Sequence, residues 1–397
     1  MDSYLSRNNY VILSMQFPGS ISSKFPQMAT TIFTKMSALA AEHKAINLSQ
    51  GFPDFKVSQY LIDRVHHHMT AGANQYAPMA GMPQLTAAIA KKVKRYLGAA
   101  YNPQTEITIT AGGTQALAST IAALVREGDE VMIFNPAYDS YAPVVELNGG
   151  IPVFIKLKFP DYHIDWDEVK RMITRKTRLI IINSPHNPTG TVLKKEDLDA
   201  LAHLVANSNI LVLSDEVYEH ITFDGLPHVS AASHPVLAER SFVVFSFGKT
   251  FHATGWKLGY VLAPENLMKE FRKIHQYDVF SCNAPIQLAM ADFMEYDEVF
   301  QISDMYQQKR DFFLEQIKGS RFKPLPSSGT YFQLLDYSAI TQEADVEFAV
   351  RLTVEHKLAS IPVSVFYNTL TDHKVLRFCF AKQDETLTKA GAILRNI

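Results

Sequence analysis

Cysteine, long apolar runs and net charge are all scarce in this sequence of 397 residues. Its two cysteines, Cys282 and Cys379, cannot build a disulfide scaffold and fit a reducing, cytoplasmic compartment. The 38 Lys and Arg residues nearly balance the 40 Asp and Glu residues, so no global positive field exists to attract nucleic acid or an anionic membrane. The longest apolar runs, such as residues 210–213, are far shorter than the roughly 20 residues of a membrane span. We therefore expect a cytoplasmic protein with no nucleic-acid or membrane partner.

The N-terminal residues 1–21 show no pattern of a folded element. Their short apolar stretch, residues 10–15, is not followed by a small-residue cleavage pattern, so a signal peptide is not expected. We predict a flexible extension, and both Met1 and Met15 are compatible with the start of translation.

Strand-like and helix-like segments alternate from about residue 85. Six short segments rich in apolar and β-branched residues are typical of buried strands, and amphipathic stretches separate several of them. The strand-like segments are residues 106–110, 131–134, 179–182, 210–213, 242–245 and 260–263. Continuous apolar strands separated by helices predict an α/β fold with a mostly parallel sheet that helices cover on both faces. We assign residues 57–290 to this large domain and residues 291–397 to a smaller α+β domain, against which residues 22–56 pack.

Chemically active side chains follow these strands. In an open parallel sheet, ligands bind outside the carboxyl ends of the strands. Glycines and a threonine that suit an anion follow the first strand, while an amide, a carboxylate, a phenol, a hydroxyl and a lysine follow later ones. These residues are Gly112, Gly113, Thr114, Asn187, Asp215, Tyr218, Ser246 and Lys249. Together they predict a site for pyridoxal 5′-phosphate, a phosphorylated aldehyde that a lysine amine binds covalently.

Each part of that cofactor has a candidate partner. Lys249 supplies the amine, Asp215 pairs with the pyridinium nitrogen, and Asn187 and Tyr218 donate to the ring oxygen. Tyr138 supplies an aromatic face for the ring. The candidates for the phosphate group are Gly112, Gly113, Thr114, Ser246 and Lys257.

Three strings carry a resemblance to a known family. They are Asn-Ser-Pro-His-Asn-Pro-Thr-Gly at 183–190, Asp-Glu-Val-Tyr at 215–218, and Ser-Phe-Gly-Lys-Thr-Phe-His-Ala-Thr-Gly-Trp-Lys-Leu-Gly at 246–259. The sequence resembles the class I aminotransferases of fold type I, from about residue 24 to its end. The strings at 46–55 and 73–78 resemble bacterial methionine aminotransferases and the kynurenine/glutamine transaminase group. Many members carry Arg where this chain has Lys257, which keeps the charge but loses the bidentate fork.

The resemblance also implies how a substrate binds. Arg377 occupies the position of the arginine that reads the substrate carboxylate, and Gly51 and Asn187 would assist it. The segment 276–285, which supplies a second cation in similar dicarboxylate enzymes, contains no Lys or Arg. Phe280, Phe52 and Tyr76 are expected in the pocket instead. An apolar or aromatic L-amino acid is therefore favoured, with methionine first, and a 2-oxo acid is the expected acceptor.

In similar enzymes the residue matching Tyr76 reaches the phosphate of the neighbouring subunit, which implies a homodimer with shared active sites. A kynurenine, glutamine or aromatic aminotransferase and a cysteine-conjugate C–S β-lyase are the alternatives, because both use the same lysine and aspartate. No metal site is expected, since three consecutive histidines at 66–68 would point to different faces of a helix.

Overall fold

The computed structural model describes residues 16–26 and 30–397. Residues 1–15, with the predicted extension's first part and Met15, lie outside the described residues, as do residues 27–29. Residues 16–26 contain neither helix nor strand.

Helices and strands alternate through residues 31–397. In this part of the chain the α-helices are α1 (Ile32–Glu42), α2 (Gln59–Thr70), α3 (Pro83–Leu97), α4 (Gly113–Leu124), α5 (Tyr141–Leu147), α6 (Trp166–Met172), α7 (Lys195–Val205), α8 (Pro235–Ala238), α9 (Phe247–Thr250), α10 (Glu265–Asp278), α11 (Ala284–Phe293), α12 (Ser303–Gln316), α13 (Asp345–Val354) and α14 (Asp384–Arg395). The strands are β1 (Ile46–Asn47), β2 (Ile107–Thr110), β3 (Glu130–Asn135), β4 (Ile151–Lys156), β5 (Thr177–Asn183), β6 (Leu211–Asp215), β7 (Ser241–Ser246), β8 (Gly259–Leu262), β9 (Lys323–Pro324), β10 (Phe332–Asp336), β11 (Leu358–Ala359), β12 (Ile361–Pro362) and β13 (Val375–Cys379).

The central sheet has seven strands in the order β2-β8-β7-β6-β5-β3-β4. Only β8 runs antiparallel to its neighbours, β2 and β7, so the other six strands share one direction. Their carboxyl ends therefore lie along one edge of the sheet. This sheet confirms the predicted α/β, mostly parallel fold.

Successive residues of each central strand enter two different cores. On β3, Met132 packs into the core beneath α2, α3, α7 and α11, whereas Ile133 packs into the core beneath α4, α5 and α10. The same alternation places Val243 and Val244 of β7 on opposite faces. Because both faces are buried, the strands read as continuous apolar runs rather than as an alternating pattern.

A second sheet forms in the C-terminal part of the chain. It is antiparallel, with the order β12-β13-β10-β9, and it has its own apolar core. Strand β1 pairs in parallel with β11, through Ile46 opposite Leu358 and Asn47 opposite Ala359, and α1 contacts α13. Residues 32–47 therefore contact the C-terminal part, while the packing of residues 22–56 as a whole and the domain boundaries stay predictions.

None of the helices that the structure describes is both long enough and apolar enough to cross a membrane.

Candidate active site

A cavity of about 330 Å³ opens at the carboxyl ends of the parallel strands. Most of the residues that the sequence analysis singled out line it. They are Gly51, Gly112, Gly113, Thr114, Tyr138, Asn187, Asp215, Tyr218, Ser246, Lys249, Lys257 and Arg377. The chain thus brings together an amine, a carboxylate, two phenols, an amide, a guanidinium and a helix N-terminus.

Lys249 stands in α9, the single helical turn that follows β7. Its amine donates hydrogen bonds to the hydroxyl of Tyr331 at 3.0 Å and to the carbonyl oxygen of Gly51 at 3.2 Å. Burial, which disfavours the charged form, lowers the pKa of Lys249 to about 8. The amine can therefore lose its proton near neutral pH and act as a nucleophile or a base.

Asp215 ends β6 and is buried. One carboxylate oxygen accepts a hydrogen bond from the hydroxyl of Tyr141 at 2.6 Å, and the other accepts one from the backbone N–H of Val217 at 3.3 Å. Burial raises the pKa of Asp215 to about 6, despite these hydrogen bonds and the distant charge of Lys249. A cationic ring nitrogen beside this carboxylate would stabilise its ionised form and offset the cost of its burial.

Tyr218 and Asn187 are neutral donors near the lysine. The ammonium nitrogen of Lys249 lies 5.6 Å from the centre of the Tyr218 ring. Burial raises the pKa of Tyr218, so its phenol keeps the proton that it can donate. The side-chain oxygen of Asn187 accepts a hydrogen bond from Arg377 at 2.6 Å, which leaves the amide N–H groups of that side chain to donate elsewhere.

The first backbone N–H groups of α4 and the amine of Lys257 form a site that suits an anion, here called the anion cradle. Gly112, at φ 80°, turns the chain so that the N-terminal N–H groups of α4 face the cavity. A Cβ atom added to Gly112 would lie 3.5 Å from Nζ of Lys257, which places that cation beside the helix start. Lys257 has a left-handed backbone, with φ 52°. Helix N-terminus and ammonium group together suit a phosphate.

Arg377 lies on β13 and is only 1% exposed. Its guanidinium carbon lies 3.9 Å from the centre of the Phe332 ring. It donates to Asn187 and, at 3.3 Å, to the carbonyl oxygen of Ser49, while its Nε has no hydrogen-bond partner among the described residues. Burial lowers the pKa of Arg377 to about 10, so the group remains charged at neutral pH. A charged guanidinium group that lines a cavity suits a carboxylate from a ligand.

Three candidate residues do not line this cavity. Tyr76 is 83% exposed and packs edge-to-face on Phe280, with ring centres 5.3 Å apart. Phe52 is 45% exposed, and the centre of its ring lies 4.6 Å from the ammonium group of Lys382. Within this chain, Phe52, Phe280 and Tyr76 therefore lie outside the cavity, and their place in the pocket stays a prediction.

The fold brings further residues, which the sequence did not indicate, to the cavity wall or to the side chains that line it. Tyr141 bonds Asp215, and Tyr331 bonds Lys249. Phe33 and Phe332 line the cavity beside Arg377. The position of Tyr141, one helical turn after Tyr138, could have indicated a second phenol, whereas Phe33 and Tyr331 come from segments far away in the sequence.

Comparison with known proteins assigns this site to a family. The family model for class I and II aminotransferases matches residues 43–393. A methionine aminotransferase of Escherichia coli K12 is 50% identical over 377 residues, which cover 94% of this chain and 98% of that protein. Human kynurenine–oxoglutarate transaminase 1 is 34% identical over 90% of this chain and 93% of its own length.

Solved structures agree with the sequence comparisons. The crystal structure of an Escherichia coli protein with methionine aminotransferase function superposes with a TM-score of 0.94, at 50% identity, and covers 96% of this chain and 100% of that chain. N-succinyldiaminopimelate aminotransferase from Mycobacterium tuberculosis superposes with a TM-score of 0.91 at 36% identity, covering 95% and 100%. By its sequence and its fold, this chain belongs to the class I and II aminotransferase family.

Proposed function

We propose that this aminotransferase uses pyridoxal 5′-phosphate to move the amino group of an apolar L-amino acid, methionine first, to a 2-oxo acid. The observation that carries the proposal is the amine of Lys249. It has a lowered pKa and lies in the cavity that Asp215, Asn187 and Arg377 also line. The homodimer and the cytoplasmic location suggested by the sequence belong to the same proposal.

The residues present fit the cofactor. A buried carboxylate with a raised pKa, Asp215, matches the pyridine nitrogen, which is cationic when protonated. The start of α4 and Lys257 match the phosphate group. Tyr138, whose hydroxyl lies 3.4 Å from that of Thr114, offers its ring as a stacking surface between these two ends.

The bound cofactor supplies an electron sink for the carbanion that forms when a substrate loses its Cα proton. The chain's own residues do the rest. Asp215 keeps its charge beside the ring, and Tyr218 and Asn187 donate hydrogen bonds without changing protonation. Nζ of Lys249 would take the proton from Cα and then deliver a proton to the cofactor rather than back to Cα, for which a pKa near 8 is suited.

Substrate orientation depends on Arg377. Asn187 and Ser49 accept hydrogen bonds from its two Nη atoms and hold its guanidinium group in place at the cavity wall. Phe332 and Phe33 cover its faces, so a carboxylate must approach in the plane of the group. This arrangement supports recognition of the α-carboxylate of an amino acid or a 2-oxo acid.

The character of the cavity wall supports an apolar side chain. Lys249, Lys257 and Arg377 are the only cations among the described residues that line it, and each has a proposed role already. Phe33, Leu117 and Phe332 contribute apolar surface. No cation remains for a second carboxylate, which argues against a dicarboxylate donor. Methionine is favoured because the Escherichia coli relative at 50% identity is a methionine aminotransferase.

A kynurenine or other aromatic donor is the second candidate. Transaminases named for kynurenine are 32–34% identical to this chain, and the phenylalanine rings in the cavity would also accept an aromatic side chain. The ratio of kcat/KM for methionine and kynurenine, measured with the same 2-oxo acid, decides between the two donors.

The test is a single-turnover measurement. Cofactor-loaded protein mixed with methionine alone should release about one equivalent of the matching 2-oxo acid per subunit, and continuous release should need an added 2-oxo acid acceptor. The Lys249→Ala variant should lose this product and the visible absorbance of the lysine-bound cofactor. Continuous release of ammonia from a cysteine conjugate, without any acceptor, would instead identify a β-lyase.

A further inference from the structure

Tyr331 precedes β10 and is completely buried, with its hydroxyl group between two functional groups of the site. The hydroxyl donates to the carbonyl oxygen of Gly51 at 2.6 Å and receives a hydrogen bond from the amine of Lys249 at 3.0 Å. The same amine also reaches the Gly51 oxygen, at 3.2 Å. Three chain segments that are distant in sequence meet here.

The hydrogens in this triangle can be assigned by counting. A carbonyl oxygen only accepts, so the single hydroxyl hydrogen of Tyr331 points to Gly51. The oxygen of Tyr331 therefore accepts from Lys249. A neutral amine has two N–H bonds and one lone pair, and the two N–H bonds are taken by Tyr331 and Gly51. The lone pair is left to point away from these acceptors.

The ring of Tyr331 is held firmly. It packs against Tyr218, Phe332 and Tyr306, with ring centres 5.2, 5.0 and 5.7 Å away. Its carbonyl oxygen accepts a hydrogen bond from the backbone of Phe380 at 3.0 Å. Burial raises the pKa of Tyr331 well above its ordinary value, so the phenol stays neutral. A rigid neutral group is suited to orient its neighbour without exchanging protons with it.

We propose that Tyr331 is a positioning residue that holds the free amine of Lys249 and aims its lone pair at the substrate. This inference rests on the proposed function, because the lysine is free only while a substrate occupies its place. Tyr331 itself changes no bond during the reaction. Its role is to make the proton transfer by Lys249 start from one geometry rather than from many rotamers.

A matched pair of variants tests the inference. Tyr331→Phe removes the hydroxyl, and Tyr337→Phe removes a hydroxyl from an equally buried tyrosine just after β10 that bonds only the carbonyl oxygen of Glu343, at 2.9 Å. In the cofactor-free protein, the pH dependence of acylation of Lys249, followed by mass spectrometry, gives the pKa of its amine. We expect Tyr331→Phe to lower that pKa by about half a unit, because the charged amine loses an acceptor, and Tyr337→Phe to leave it unchanged.

Turnover of the loaded enzyme supplies a second readout. Tyr331→Phe should lower kcat for methionine about tenfold with KM within about twofold, since the loss affects proton transfer rather than binding. With methionine deuterated at Cα, the isotope effect on kcat should rise in Tyr331→Phe alone. Equal behaviour of the two variants, or a rise in KM without a loss of kcat, would overturn the inference.

The outcomes separate this inference from the proposed function. If the wild-type enzyme fails to transaminate methionine or kynurenine, the proposed function fails, whereas the titration of Lys249 still reports on Tyr331. If Tyr331→Phe does not fold, the test uses protein that keeps Tyr331 and carries a ¹³C label in that tyrosine only. The resonance of its ring carbon should then shift when Lys249 is changed to Ala in the cofactor-free protein, and an unchanged resonance would refute the contact.

Discussion

At the scale of single residues, the fold alone opposes the ionisation of Asp215. Its carboxylate is removed from water and receives hydrogen bonds from Tyr141 and Val217, yet its pKa lies at about 6 rather than at the ordinary 3.8. Between about pH 4 and pH 6 the folded protein therefore holds a proton at Asp215 that the unfolded chain has already released. A cation bound beside Asp215 would offset this cost, so the buried carboxylate favours binding of a cation at the site.

The first prediction concerns stability and pH. Between about pH 4 and pH 6 the unfolded chain binds fewer protons at Asp215 than the folded chain, so this residue makes the free energy of unfolding fall as the pH rises. The difference in pKa corresponds to about 3 kcal/mol. Asp215→Asn should remove this fall in the cofactor-free protein, as measured by urea unfolding from pH 4 to pH 7. Asp167→Asn, at an exposed position of α6, is the control, and an equal change in both variants would contradict the prediction.

At the scale of elements, the turn after β6 places side chains on two sides, one toward the cavity and one toward the core. Asp215 and Tyr218 face the cavity, while Glu216 and Glu219 are buried behind it. Glu219 forms an ion pair with Lys92 of α3, whose amine also donates to the hydroxyl of Tyr260 at 3.1 Å. The turn is thus anchored to α3 by a buried ion pair, and Lys92 links it to β8 through the hydroxyl of Tyr260.

The second prediction concerns that ion pair. Lys92→Met leaves the charge of Glu219 buried without its partner, which should lower the free energy of unfolding by about 3 kcal/mol or more. Lys389→Met breaks the exposed pair of Lys389 with Glu385 on α14 and should cost less than about 1 kcal/mol. Urea unfolding at neutral pH compares them, and similar losses would show that the buried pair contributes no more than a surface pair.

Sequence patterns predicted those elements whose residues carry a local signal. Residues that follow β2, β5, β6 and β7 were found because parallel strands end at one edge, whatever the rest of the fold does. Boundaries shifted by one or two residues: the strand-like segment 179–182 became β5, Thr177–Asn183, and the segment 242–245 became β7, Ser241–Ser246. Tyr331 and Lys92 escaped notice because only the packed chain shows what they contact.

At the scale of the whole molecule, the aromatic pair of Tyr76 and Phe280 lies outside the cavity although the family resemblance connects Tyr76 with a phosphate. The two rings are exposed and touch each other. A second copy of the chain that covers this pair would bring Tyr76 to the partner's cradle, which is why we propose a homodimer with shared sites.

The third prediction tests shared sites by mixing two inactive variants. Lys249→Ala lacks the amine and Tyr76→Ala lacks the contribution to the neighbouring site, so a hybrid dimer contains one intact site. After subunit exchange, activity should recover to about a quarter of the wild-type value, because half of the dimers are hybrids and each has one working site. No recovery, with exchange shown by mass spectrometry of the intact dimers, would exclude a site built from both subunits.

Because β8 runs opposite to β7, the loop between residues 246 and 259 begins and ends at the same edge of the sheet. Ser246 and Gly259 face each other across the β7–β8 ladder, and Gly259 packs so closely that a Cβ atom would lie 2.5 Å from the Phe245 carbonyl oxygen. Both ends of the loop are therefore held at the same edge of the sheet, and its length and conformation set the distance between Lys249 and Lys257. An insertion or deletion in this loop would change the distance between the amine of Lys249 and the anion cradle, while the register of β7 and β8 stayed the same.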